Sequence, residues 1–165
     1  MNKQHTQLID RLEASAEELA NALAQIPAEQ TTVSPKEGEW TLHQVMSHVR
    51  DTEAQVFAYR VGLILNSKTP PAVKNFDQEE WSRDHYSTKE PLKNMVAEFR
   101  SARRKLVKLL RSTKDNDWKR YAVHPLYGNI PIEYIALHSY DHTLEHLQQF
   151  NNMREENIIN AANGK

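Results

Sequence analysis

Apolar residues return every three or four positions in four stretches of the chain, and each stretch predicts an amphipathic helix. In the first, Leu8, Leu12, Leu19, Leu23 and Ile26, with Ala16 and Ala20 between them, make one stripe that stops before Pro27. The second carries Leu42, Val45, Met46, Val49, Val56 and Phe57 and is expected to run to about Leu65. Thr41 and Gln44 form a capping box at its start, and Trp40 stands where a hydrophobic staple would. The third stripe is Leu92, Met95, Val96, Phe99, Ala102, Leu106, Leu109 and Leu110. It is expected to open with a Ser87–Glu90 capping box, to accept Pro91 early, and to end near Ser112. The fourth opens at Pro131 and is expected to reach about Asn152.

The connections are uneven. A polar stretch from Ser67 to about Tyr86 holds Pro70-Pro71 and one short helical turn, Asp77 to Arg83, anchored by Phe76 and Trp81. Connections this long in compact domains often serve as functional covers. Residues 115–129 read as a loop. Four stripes that must bury against one another give an all-α four-helix bundle, with a long connection between helices 2 and 3 that permits a crossover. Pattern alone leaves the helix order open. The expectation is one domain over 1–165, with its core at about 3–152 and a polar C-terminal tail, 153–165, that frays.

Composition supports this and removes alternatives. Only 4 glycines and 7 prolines occur, the latter between the periodic stretches, as in a helical chain and not a many-turned β protein. There is no cysteine, which excludes disulfides, thiolate ligands and a thiol nucleophile of the protein's own. With 21 basic against 22 acidic residues, no nucleic-acid partner is expected; Arg100, Arg103, Arg104, Lys105 and Lys108 read as a solvated helix face. The N-terminus is polar and no apolar run reaches membrane-spanning length, so no membrane partner and a cytoplasmic location are expected.

The candidate chemistry lies in histidines. At about 100° per residue, Ile132, Ile135, Ala136, Ser139, Thr143 and Phe150 share the inner face of the fourth helix. His142 and His146 fall on that face, roughly 60° and 20° from its centre, and His138 lies roughly 100° away. Two imidazoles at i, i+4 can grip one ion, and a shared metal satisfies nitrogens that are otherwise costly to bury. Spacing alone also allows His138 with His142. On the second helix His48 sits at the stripe's edge, roughly 100° from its centre, where periodicity by itself reads as surface. His43 is expected to be solvated. Glu53 and Arg60 lie on the inner stripe, either as a buried pair or as polar groups lining a cavity.

The segments GEWTLHQVMSHVRDTE and DHTLEHLQQF, in that order and with VHPLYGNIPIEYIALH before the last helix, resemble the motifs of the DinB-like metal-binding bundles over about Val33 to Phe150. The resemblance implies a divalent metal held by His48, His142 and His146, with Gln149 three positions beyond the last ligand, and a homodimer as the habitual assembly. It implies an enzyme acting on a small molecule, either a hydrolase or a transferase that uses a low-molecular-weight thiol. The alternative is a non-catalytic dimeric bundle that binds metal or ligand. Zinc is the first expectation for three imidazoles, with nickel, iron or manganese as the others. Glu53 is the candidate catalytic carboxylate, as general base or orienting group. Asp51 and Glu145 are candidate partners of the rings, while Tyr127 and His124 could line the mouth. Leu137, Tyr140, Leu144 and Leu147 form a second apolar strip on helix four, available for bundle packing or a dimer contact.

Overall fold

A computed structural model describes residues 1–162, with side chains as far as Glu155. Helix α1 (Lys3–Ala24) starts where the Asn2 side chain accepts the His5 amide. Helix α2 (Leu42–Thr52) carries the expected reciprocal box: Thr41 Oγ1 accepts Gln44 N–H at 3.2 Å, and Gln44 Oε1 accepts Thr41 N–H at 2.9 Å. Each bond satisfies an amide that has no partner within the helix. The helix then widens into a π-helical segment, Glu53–Ala58, before resuming as α3 (Tyr59–Asn66). Uniform α periodicity did not anticipate this. The wide turn buries three consecutive residues, Val56, Phe57 and Ala58, which a regular amphipathic helix would not do.

Helix α4 (Gln78–His85) is the short element of the long connection, capped by Asp77. Helix α5 (Leu92–Arg111) begins later than expected, with Pro91 as its N-cap and no side-chain cap; Ser87 and Glu90 instead close a separate turn. Residues 115–129 are more ordered than their composition implied. A 3₁₀ turn at Asp115–Lys119 buries Trp118 completely, stacked on His5 with ring centroids 3.9 Å apart. The hairpin β1 (Tyr121–His124) and β2 (Gly128–Pro131) follows, with Gly128 at φ 66°, where a side chain would be strained. Pro131 thus ends a strand, and α6 (Ile132–Ala162) starts one residue later. Helix α6 also outruns the expected end at Asn152: residues 153–162 of the polar tail are helical, and 163–165 lie outside the described residues.

Two apolar clusters fix the order and direction of the helices. One joins Ile9 and Leu12 of α1, Val61 and Ile64 of α3, Leu106 and Leu110 of α5, and Ile132 and Ile135 of α6. The other joins Leu19 and Leu23, Leu42 and Val45, Met95 and Phe99, and Phe150 and Met153. Helices α1 and α6 therefore run parallel, and α2–α3 and α5 run opposite to them. α1 packs on α5 and α6, and α2 packs on the same two, so the first two long helices lie diagonally across the bundle. Because α3 ends at the level where α5 ends, the connection from Ser67 to Pro91 must travel the length of the bundle to begin α5. It is a crossover. On the way Val73 N–H bonds Val123 O and Val123 N–H bonds Pro71 O, which ties the crossing chain to the hairpin. Arg120 caps the end of α3 by donating to the carbonyls of Ile64 and Ser67.

Between the two clusters lies a polar layer. Arg103 donates to Glu53 through Nε (2.8 Å) and Nη2 (2.9 Å), and also to Leu12 O, Ser139 Oγ and Thr143 Oγ1. Arg103 is therefore not part of a solvated basic face. It is the central cation of the core, and Glu53's partner is Arg103 and not Arg60.

Candidate metal centre

His48 projects from α2 toward α6, one turn before the π segment. His142 and His146 stand one turn apart on the facing side of α6. His142 Nε2 lies 3.1 Å from His48 Nε2 and 3.2 Å from His146 Nε2. All three ligand atoms lie within 4.8 Å of one another. His138 is outside this cluster: its ring centroid is 6.4 Å from that of His142, and it packs on Phe57 and Tyr134. The structure thus brings together the pair chosen by helix facing, together with His48. Periodicity put His48 at a stripe edge, and that edge faces α6.

The donor set fits a cation. Two imidazole nitrogens held about 2.05 Å from one ion at the tetrahedral angle stand about 3.3 Å apart, close to the two separations here. Their other nitrogens are held as well. Gln149 Oε1 lies 2.8 Å from His146 Nδ1 and so accepts its proton, and Thr52 Oγ1 lies 3.3 Å from His48 Nδ1. The Gln149 contact fixes the tautomer whose Nε2 lone pair faces the cluster, and the Thr52 hydroxyl, able to accept from Nδ1–H, lets His48 take the same one. With two lone pairs aimed at His142 Nε2, a single proton on that atom can satisfy only one. A shared cation satisfies all three.

Electrostatics agree. Burial, reinforced by His146, lowers the pKa of His48 to about 4. Burial, then the neighbouring His146, His48 and His138 and the Arg103 charge, lower that of His142 to about 2. Burial also depresses His146, partly offset by Gln149 and Glu145. The rings are neutral at physiological pH, as metal ligands must be.

The cluster sits where two cavities meet. The larger, about 820 Å³, is walled by Trp40, Glu39, His48, Gln78, Glu145, His146 and Met153 among others. The smaller, about 280 Å³, lies on the far side of His48 and His142 and reaches Thr52, Arg60, His124, Tyr127 and His138. Gln78, brought in by the crossover, borders both.

Other expected residues fall elsewhere. Glu53 is buried with both oxygens engaged, by Arg103 and by the Ser139 hydroxyl, and it walls neither cavity. Asp51 pairs with Arg50, which also holds Glu90 and Glu98, so it does not orient a ligand ring. His43 is not solvated: it is buried, with Nε2 donating to Glu90 O and Nδ1 accepting from Tyr86 Oη. His124 is buried and not exposed, because strand alternation turns Ala122 and His124 inward, while Tyr127 at the loop tip is exposed. Thr52 and Gln78 were not singled out from sequence, and neither has a pattern that marks it.

An antiparallel-and-parallel bundle of this order, with three inward histidines from its second and last long helices, defines a four-helix bundle with a candidate metal centre. The model of the DinB superfamily matches residues 11–150, and the chain belongs to that superfamily. It is 27% identical over 124 residues to a "Putative metal-dependent hydrolase" of Oceanobacillus iheyensis, spanning 75% of this chain and 70% of the relative. Another "Putative metal-dependent hydrolase", from Bacillus mycoides, is 26% identical over 148 residues, spanning 89% of this chain and 83% of the relative. Among solved structures, YfiT from Bacillus subtilis, described as "a probable metal-dependent hydrolase with an unusual four-helix bundle topology", shares the fold. Its TM-score is 0.81 at 24% identity, covering 93% of this chain and 87% of that one.

Proposed function

We propose that this chain is a metal-dependent enzyme acting on a small molecule, with hydrolysis as its reaction and a divalent ion held by His48, His142 and His146. The observation that carries the reading is the convergence of three Nε2 atoms, with Nδ1 partners on two of the rings, at the floor of a cavity of about 820 Å³. When bound, such an ion supplies Lewis acidity, lowering the pKa of a water or thiol at its open position to near neutrality. Zinc suits three imidazoles first; nickel, iron and manganese are the other candidates.

The protein's own part is to bind, orient and move a proton. Three neutral rings leave the ion's charge undiminished, and Gln149 and Thr52 hold two of them in place. Glu39 and Glu145 both wall the large cavity, and Glu145, next to His146 in the chain, is the carboxylate that would accept a proton there. Glu53, with both oxygens committed, organises the helices that carry the ligands and does not take the proton. Trp40 shields one side, its ring edge-on to His48 at 5.8 Å.

A second reading, transfer of a low-molecular-weight thiol, is favoured by the size of the same cavity, which admits a second substrate beside the ion. The protein has no cysteine, so any thiol would come from outside. The homodimer belongs to this proposal too. Of the strip on α6, Tyr140 and Leu147 pack against the core clusters, and Leu137 and Leu144 remain exposed for a partner copy. No helix among the described residues is long and apolar enough to cross a membrane.

The test is elemental analysis of the purified protein, followed by zinc titration of the stripped form and an ester, amide and thiol-transfer panel. One equivalent of metal lost in His142→Ala and His146→Ala, together with activity that follows metal content, is the expected result. Full metal content in both variants would place the ion elsewhere.

A further inference from the structure

The smaller cavity has a chemical character of its own. Its walls contain no aspartate or glutamate, and they contain Arg60. This arginine is half-buried, and its burial depresses its pKa. Among the described residues its only hydrogen bond is from Nη2 to the Lys74 carbonyl, at 2.9 Å, and it makes no ion pair. Other arginines shielded from solvent, Arg50 and Arg103, have two or more polar partners with a carboxylate among them. A half-buried guanidinium without an ion pair is costly to keep, because its remaining donors are partly stripped of water; Asp77, Glu80 and Asp84 line a neighbouring cavity together with Arg60, but none of them pairs with it.

His124 points to the same occupant. Its side chain is 97% shielded, being only 3% exposed. Nδ1 accepts from two backbone amides, Leu126 N–H at 3.2 Å and Tyr127 N–H at 3.4 Å. An acceptor nitrogen carries no proton, so the ring's hydrogen is on Nε2 and the ring is neutral. Among the described residues Nε2 has no acceptor, and the ring borders the cavity. A fixed N–H donor and a guanidinium without an ion pair therefore share one small cleft, while Val56, Phe57 and Phe76 supply apolar wall.

We propose that Arg60 and His124 form a carboxylate-binding subsite, and that the substrate of this protein carries a carboxylate held in the small chamber while its reacting bond lies at the histidine cluster. The subsite stands on the chamber alone; its assignment to the substrate rests on the metal-dependent reading given above. A single cation and one neutral donor match a monoanion, and Arg60 gives only one of its two Nη2 hydrogens to Lys74 O, so the other, beside Nε–H or Nη1–H, completes the paired edge that a planar carboxylate takes bidentately. A cleft of about 280 Å³ suits the acid end of a small molecule. His48 and His142 border the chamber as well, so the bond next to the acid group faces the cluster.

The experiment uses the full chain stripped of metal, with benzoate, benzamide and inorganic phosphate as probes and histidine side-chain NMR as the readout. Benzoate is expected to shift the His124 resonances and to bind about tenfold or more tightly than benzamide, which has the same shape without the charge. Arg60→Gln should weaken benzoate by about tenfold or more, Arg60→Lys should recover part of that, and neither should lose zinc affinity, since removing a nearby cation cannot weaken a second one. Equal binding of benzoate and benzamide overturns the proposal, as does phosphate displacing benzoate at lower concentration. Should Arg60→Gln fail to fold by circular dichroism, Arg60→Lys and the benzamide comparison on the native protein decide. The two readings fail separately. A native protein that takes no zinc but still binds benzoate at His124 removes the metal chemistry and leaves the subsite; one that takes zinc at the three histidines but binds benzoate no better than benzamide does the reverse.

Discussion

Glu53 and Arg103 face each other across the bundle's mid-level in a two-bond fork, Nε to Oε1 at 2.8 Å and Nη2 to Oε2 at 2.9 Å, with each side chain 2% exposed. Ser15, Ser139, Thr143 and the Leu12 carbonyl surround the pair and use the remaining donors and acceptors. Such a pair adds little net stability over an apolar replacement, but breaking it strands a charge.

Arg103→Met should therefore destabilise the protein by about 3–5 kcal/mol. The double variant Glu53→Met/Arg103→Met should recover part of that loss, because no charge is left alone. Urea denaturation of the metal-free forms measures both. The pair also separates two roles for Glu53. If it only organises the bundle, Glu53→Gln changes stability and leaves the pH profile of kcat in place; loss of the profile's acidic limb would make it the general base.

Removing the oxygen that holds His146 should loosen the metal without removing a ligand. Gln149→Ala is expected to weaken zinc by about 10–100-fold, the usual cost of losing a ring-orienting partner. His146→Ala should cost more. Competition titration against a chromophoric chelator reads both, and an unchanged affinity in Gln149→Ala would show that its 2.8 Å contact does not orient the ring.

Acid should destabilise the metal-free protein in a defined window. Burial lowers the pKa of His48 to about 4 and that of His142 to about 2 in the folded protein, against the ordinary histidine value of 6.5. Below pH 6.5 the unfolded chain takes up protons that the folded one refuses, so unfolding gains and stability falls as pH falls. For His48 the loss runs from about pH 6.5 to about 4, and for His142 it continues toward 2. Denaturation midpoints at pH 7.5 and 5 should differ in this direction, and His142→Ala should flatten the slope. Zinc should protect at pH 7.5 and lose its hold in acid, since protons compete for the same nitrogens.

Thr41→Ala tests the anticipated capping box that forms. Loss of the Thr41 Oγ1 bond to Gln44 N–H should cost about 1 kcal/mol. The same substitution at Ser87, whose anticipated box does not form at the start of α5, should cost clearly less. Thermal denaturation distinguishes the two.

What the sequence disclosed tracks how local the determining force is. The stripes of α1, α2, α5 and α6 were legible because burial imposes a short period on the chain itself. Ser139 and Thr143, polar residues on an inner face, already implied a buried polar partner, but nothing in the local pattern could name Arg103, which sat in a basic run that looked solvated. His142 and His146 could be paired from one helix. His48 could not be added by periodicity, because its facing is decided by where α6 lies. The burial of Trp118 and of His124 was missed for a related reason: a four-residue strand and a 3₁₀ turn are too short for a periodic signal, and their burial depends on docking to α1, α3 and α6. Helix order escaped entirely, since the stripes fit an up-and-down bundle as well as a crossed one.

The chain's diagonal return has an evolutionary side. The segment from Ser67 to Pro91 spans the bundle outside the four-helix core, while its residue Gln78 borders both cavities at the ligand histidines. Its exposed side chains can thus drift without shifting the three candidate ligands, since those histidines sit on α2 and α6 alone. A lineage could retune what enters the cleft by editing this strap and leave the inorganic chemistry beneath it untouched.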